Sequence, residues 1–176
     1  MKKILLTFSL VALCAVASFA QRFAYVDSEY ILKHIPEYSS AQKQLEVLSQ
    51  QWQKEVDDRF AEIDRLYKAY QADQVLLSEE LRKRRENEII EKEKQAKELQ
   101  RTKFGFEGDL YKERIRLIQP IQDRVAKAVQ AVAESQQLDM IFDKGSQLMM
   151  LYASTRLDKS NDVITRLGYK PGAFAK

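Results

Sequence analysis

Cysteine, histidine, tryptophan, proline and glycine are all scarce in this chain of 176 residues, which has one, one, one, three and five of them respectively. The single cysteine, Cys14, sits in an apolar N-terminal run. Beyond that run there is no disulfide and no thiol nucleophile. His34 has no second histidine to work with, so the residues for a nucleophile and base pair are missing. No glycine-rich phosphate loop is present, and the acids are dispersed; neighbours such as Asp57 and Asp58 read as a solvated pair. These absences argue against an enzyme and leave no candidate catalytic, cofactor-binding or metal-binding residue. An excess of one charge is also lacking, with 29 Lys and Arg against 26 Asp and Glu. Nothing in the whole-chain charge points to nucleic acid.

Residues 1–20 have the layout of a secretory signal. Lys2 and Lys3 precede an apolar run from Ile4 to Val16, and Ser18 and Ala20 occupy the small positions of a cleavage site before Gln21. The run is short for a bilayer span of about 20 residues. Leu13 stands where a lipid-attachment signal needs a small residue, so Cys14 leaves with the signal. Cleavage after Ala20 removes two lysines and lowers the net charge from +3 to +1.

Most of the remaining chain reads as helix. From residue 37 to 137 the only helix-breaking residues are Gly105, Gly108 and Pro120. Leu45, Leu48, Trp52, Val56, Phe60, Ile63, Tyr67, Tyr70 and Leu77 follow one another at steps of three and four with one gap of seven, which is one helix face. Three consecutive steps of four from Leu48 to Phe60 resemble a stutter, where a supercoil unwinds. The pattern thins over residues 72–79, and Ser78 can cap a new helix opened by Glu79 and Glu80. The expectation is an antiparallel hairpin with its tip there, each arm about 40 residues and roughly 60 Å long. From Glu37 to Leu77 eight acids face five bases; from Glu79 to Lys103 seven acids face nine bases. The arms are mildly complementary, although exposed pairs contribute only about 0–1 kcal/mol each. Leu81, Ile89, Ile90 and Leu99 are the only large apolar residues of the second stretch, which predicts a solvated helix. The run Arg82, Lys83, Arg84 and Arg85 is either a solvated face near the tip or a contact for anionic headgroups or acidic partners. Gly105 and Gly108, with Phe104 and Phe106, mark either a hinge bearing an aromatic patch or a register adjustment in which the rings pack on Tyr67 or Phe60. Pro120 is expected to kink the helix or begin a new one.

Short strand candidates flank this excursion. Residues 22–27, with Phe23, Tyr25 and Val26, form the first; Asp27 or Ser28 then caps a short helix, and Pro36 stops that helix or opens the next. Ser39 to Gln42 has capping-box spacing, so the long arm can start there. Residues 138–143, including Ile141 and Phe142, and residues 148–153, including Leu151 and Tyr152, are expected to form a β-hairpin through Gly145. Residues 158–167 are a short amphipathic helix ended by Gly168, and 169–176 a loose tail. Residues 21–36 and 138–168 would then build a small β body, too small to bury its own apolar strands, with Phe23, Tyr25, Val26, Ile141, Phe142, Leu151 and Tyr152 as an oligomer interface. The fold class is mostly α with a small β part: a long antiparallel helical hairpin, a coiled-coil arm, projecting from a small β body.

The order Phe23-Ala-Tyr-Val-Asp27, short helix, Pro36, charged hairpin, Met140-Ile-Phe-Asp143, Leu151-Tyr152 and helix 158–167 resembles the Skp/OmpH family of periplasmic chaperones. The resemblance implies a jellyfish-like homotrimer and a periplasmic, ATP-independent holdase for unfolded outer-membrane β-barrel proteins. It departs in charge, since familiar members are strongly basic. Scattered apolar residues on the arm, Leu77, Leu81, Ile89, Phe104 and Phe106, are the expected contacts for such clients, acting through many weak interactions. The rival expectation is an exported structural or adhesion coiled coil. Peripheral contact of the basic tip with an anionic membrane surface is a third.

Overall fold

The computed structural model describes residues 22–146 and 150–174. The signal segment therefore lies outside the described residues, as does the start of the third strand candidate. The elements run β1 (Phe23–Val26), α1 (Ser28–Leu32), α2 (Pro36–Asp73), α3 (Glu79–Phe104), α4 (Asp109–Ser135), β2 (Met140–Asp143), a 3-10 turn (Thr155–Leu157) and α5 (Ser160–Arg166). By contacts the chain forms two units, one of residues up to His34 with Arg124–Phe174, the other of Ile35–Asp123.

The first unit is built on a parallel pair. β1 and β2 align Phe23 with Met140, Ala24 with Ile141, Tyr25 with Phe142 and Val26 with Asp143. The free edge of β1 is taken by the chain near the start of α5: Tyr25 bridges Asp158, and the Lys159 N–H donates to the Tyr25 carbonyl at 2.9 Å. Asp27 caps α1 by accepting from the Tyr30 N–H at 2.9 Å, and its own N–H donates to the Ser160 hydroxyl at 2.8 Å. Ile31, Val163 and Ile164 are fully buried where α1 and α5 pack. At an aliphatic side chain each, that burial contributes about 1.5–3 kcal/mol per residue. Gly168, at φ +89°, ends α5 so that the Tyr169 N–H reaches the Ile164 carbonyl.

Two expectations for this unit are corrected. Residues 150–153 form no strand, so the β-hairpin is absent among the described residues and β2 pairs with β1 instead. The turn after β2 is drawn back onto α1: the Ser28 and Gly145 N–H groups both donate to the Asp143 carboxylate, at 3.1 and 2.9 Å. A Cβ on Gly145 would come within 2.8 Å of the Ser28 hydroxyl. Residues 170–174 are not loose either. The Gly172 N–H donates to Nε2 of buried His34 at 3.0 Å, His34 Nδ1–H donates to the Tyr30 carbonyl at 2.8 Å, and the Phe174 ring lies 4.7 Å from the imidazole. The lone histidine thus uses one ring nitrogen to fix itself on α1 and the other to hold the C-terminal segment.

The second unit is a helical hairpin. Pro36 opens α2 at its first turn, where no N–H is needed; Gln42 bonds the Tyr38 hydroxyl, so the capping box at Ser39 is not used. α2 has 38 residues and is about 57 Å long. Residues 74–78 turn the chain, and Ser78 caps α3 through the Leu81 N–H. α2 and α3 pack together, with Ile63 and Tyr70 of α2 and Ile89 and Ala96 of α3 forming a buried seam flanked by Leu66 and Leu77. Both pairs are seven residues apart, the repeat of a left-handed two-helix seam. Of the α2 stripe read from sequence, Leu45, Val56, Ile63 and Tyr70 are buried, while Phe60 and Tyr67 stay substantially exposed at its rim.

α3 ends at Gly105. A Cβ there would meet the Arg101 carbonyl oxygen at 2.4 Å, and one on Gly108 would meet that of Thr102 at 2.8 Å, so both positions need glycine. Pro120 neither breaks α4 nor starts it. The proline is exposed, leaving the carbonyl deprived of its donor to water. Ile121, Val125, Ala128 and Val132 then make the regular buried stripe of α4.

Ala96 is 1% exposed at the α2–α3 seam. Replacing it by leucine overpacks the contact, and a loss of about 1–3 kcal/mol is expected in urea unfolding followed by helical circular dichroism. His34→Ala removes the hydrogen bond to the Gly172 N–H and the ring contact with Phe174, at about 0.5–1.5 kcal/mol for the bond, and chymotrypsin should then cut after Tyr169 or Phe174 faster than in the wild type while α2 and α3 remain protected.

Candidate functional site

Among the described residues no group of three His, Cys, Asp or Glu is placed to hold a metal ion, and no helix is long and apolar enough to cross a membrane. What the structure offers is exposed apolar surface in two places.

The first is on the β unit. Phe23 and Phe142 are both over a third exposed on one face of the β1–β2 pair, with ring centroids 6.3 Å apart and Met140 half-exposed beside them. Leu151 and Tyr152 are 91% and 86% exposed. The other residues assigned to the same interface lie elsewhere. Tyr25 and Val26 are buried within the chain, and Ile141 is half-buried. Burial, then the nearby Asp158 carboxylate, pushes the Tyr25 phenol above its ordinary value. Tyr25 and Val26 are core residues here because residues 158–159 and α5 cover them, a packing that alternation in a four-residue strand does not reveal.

The second is on the hairpin. Val75 and Leu76, consecutive in the turn, are 93% and 85% exposed. Leu77, a contact residue by its sequence pattern, instead packs on the helical seam. The apolar triplet Val75-Leu76-Leu77 at the break was the available signal. Leu81 is about half-exposed and Phe104 half-buried, whereas Phe106 is 98% exposed and packs on nothing. Phe106 therefore does not settle on Tyr67 or Phe60. Ile89 is buried against Tyr70 and Ile63 and is removed from the set of contact residues; in antiparallel register it is a seam position. Arg82, Lys83, Arg84 and Arg85 are all exposed on the first turns of α3, just after the exposed turn.

Charge tunes the hairpin. Lys92 donates to Glu62 across α2 and α3 at 2.7 Å, and this bond, with the lysine's charge, holds the Glu62 carboxyl below the usual glutamate range. Lys103 does the same for Asp109 at 2.7 Å across the glycine break, and its ammonium lies 4.7 Å from the centre of the Trp52 ring. The Tyr70 hydroxyl donates to Glu86, which raises the phenol's pKa. One lysine thus ties α2, α3 and the start of α4.

Residues 22–167 match the family described as Outer membrane protein (OmpH-like). The chain belongs to the OmpH-like family. Its relatives include an uncharacterized protein of Aquifex aeolicus (strain VF5), 27% identical over 160 residues, covering 91% of this chain and 94% of the relative. The fold is shared with a crystal structure named as a candidate OmpH-like outer membrane chaperone from Caulobacter crescentus CB15. The TM-score is 0.66 at 14% identity, over 89% of this chain and 90% of that one. The exposed apolar residues of this OmpH-like chain are therefore set on a fold found at low sequence identity in another member.

Because the folded carboxyl of Glu62 titrates lower than the unfolded one, its stabilisation is present above the ordinary glutamate range and is lost as pH falls through the folded value. Glu62→Gln should lower the thermal midpoint at neutral pH, with the difference from wild type closing on acidification and narrowing in high salt.

Proposed function

We propose that this OmpH-like protein is an ATP-independent holdase of the periplasm that binds unfolded outer-membrane β-barrel proteins and keeps them from aggregating. The observation that carries the reading is the distribution of apolar surface. A highly charged helical hairpin presents Val75, Leu76, Leu81 and Phe106 singly or in pairs. Unfolded barrel strands aggregate through apolar faces and open edges. Isolated contacts on a soluble arm engage such a chain weakly at each point, and affinity comes from their number. Family membership and the residues 1–20 that read as a signal support the same reading.

The exposed Phe23, Phe142, Leu151 and Tyr152 are then assembly surface, and a homotrimer through the β unit is the arrangement proposed. The exposed turn favours a subsidiary contact: two aliphatic residues beside Arg82–Arg85 suit an anionic membrane surface, where side chains insert and cations meet headgroups.

Diluting a urea-unfolded outer-membrane barrel protein into buffer with residues 21–176 should suppress light scattering at near-stoichiometric ratio without nucleotide, and a soluble coiled coil of similar charge should not. No suppression at severalfold excess of folded protein would favour a structural coiled-coil role. For the turn, salt-sensitive binding to vesicles rich in phosphatidylglycerol, lost on charge reversal at residues 82–85, is the expected result.

A further inference from the structure

A groove of about 460 Å³ lies between α2 and α4 within the hairpin unit. Its floor is apolar, made by Leu45 on one side and Leu110, Ile115 and Ile118 on the other. Ile115 is 43% exposed, so this floor is open to solvent. Four amides line it, Gln42 and Gln50 from α2 and Gln119 and Gln122 from α4, and Tyr38, Glu46, Ser49 and Arg114 complete the polar lining.

The rim chemistry selects among occupants. Gln42, Gln50 and Gln119 each donate one N–H within their own helix, to Tyr38, Glu46 and Asp123. Each keeps its carbonyl oxygen and a second N–H, and Gln122 keeps its whole amide. A helix laid over the floor would meet these groups with side chains alone, because its backbone is satisfied internally. An extended chain differs: its N–H and C=O groups project to both sides while alternate side chains point down. Apolar floor and two amide rims match that pattern. The lining residues Tyr38 to Gln50 and Leu110 to Gln122 each cover about 18 Å of helix, the length of about five residues of extended chain.

We propose that this groove binds one short extended segment of an unfolded client, its apolar side chains on Leu45 and Ile115 and its backbone hydrogen-bonded to the glutamine rims. The site deepens the holdase reading and rests on it. Unlike the scattered apolar contacts, it recognises backbone conformation and so tolerates many sequences.

The test uses full-length mature protein and a urea-unfolded outer-membrane barrel protein as probe. A benzophenone photocrosslinker at Ile115 should capture the probe severalfold more than one at Val47, an exposed α2 position outside the groove. Gln119→Leu with Gln122→Leu makes the groove more apolar. It should nevertheless weaken probe binding by about tenfold through the hydrogen bonds lost. Unchanged or tighter binding by that variant, equal capture at Ile115 and Val47, or subunit-to-subunit capture through Ile115 without probe would each overturn the groove while leaving the holdase reading intact. If the wild type fails to suppress aggregation, both fall together. Should the double variant fail to fold by circular dichroism, the crosslinking arm decides.

Discussion

The parallel pairing of β1 with β2 is the constraint on which the β unit depends. Four residues near the start of the described chain meet four that follow more than a hundred residues later. A two-stranded sheet is marginal in water by itself. Here the second edge of β1 is closed by residues 158–159, its end is capped into α1, and Ser160 satisfies the Asp27 N–H. Hydrogen bonds from two distant stretches, residues 139–144 and 158–160, converge on β1 and its ends, so Tyr25 and Val26 become core although each lies in a strand of only four residues.

The hairpin unit follows a different logic. Its contacts run between neighbouring helices and its seam is narrow, with charged residues over much of its surface. Ile63, Tyr70, Ile89 and Ala96 supply the apolar contact, while Glu62 with Lys92, Tyr70 with Glu86, and Lys103 with Trp52 and Asp109 set the register. A unit with so little buried surface opens locally at low cost. That property suits the proposed holdase role, in which the surface adjusts to clients without fixed structure.

Function and stability compete for the same residue types along this hairpin. An aliphatic residue at a seam position is lost to solvent, as at Ile89; one residue class away, at the turn, Val75 and Leu76 are left with no partner. The scattered character of the exposed apolar set follows, since a continuous stripe would be covered by another helix. Large exposed apolar patches are rare on soluble chains unless they are used.

Composition and periodicity by themselves determined the helical hairpin, a turn within residues 72–79, the Ser78 cap, a cap at Asp27 or Ser28, the glycine break and the close of α5 at Gly168. All are local: a cap, a turn or a helix face is written within a few residues. Tertiary structure decided that β1 pairs with β2 while residues 150–153 stay unpaired, and that His34 holds the C-terminal segment. It also decided that α4 passes through Pro120, that Ile89 is covered, and that amides and aliphatics of α2 and α4 share a groove. Each of these depends on residues far apart in sequence arriving at one place, and a strand of four residues carries too little pattern to name its partner.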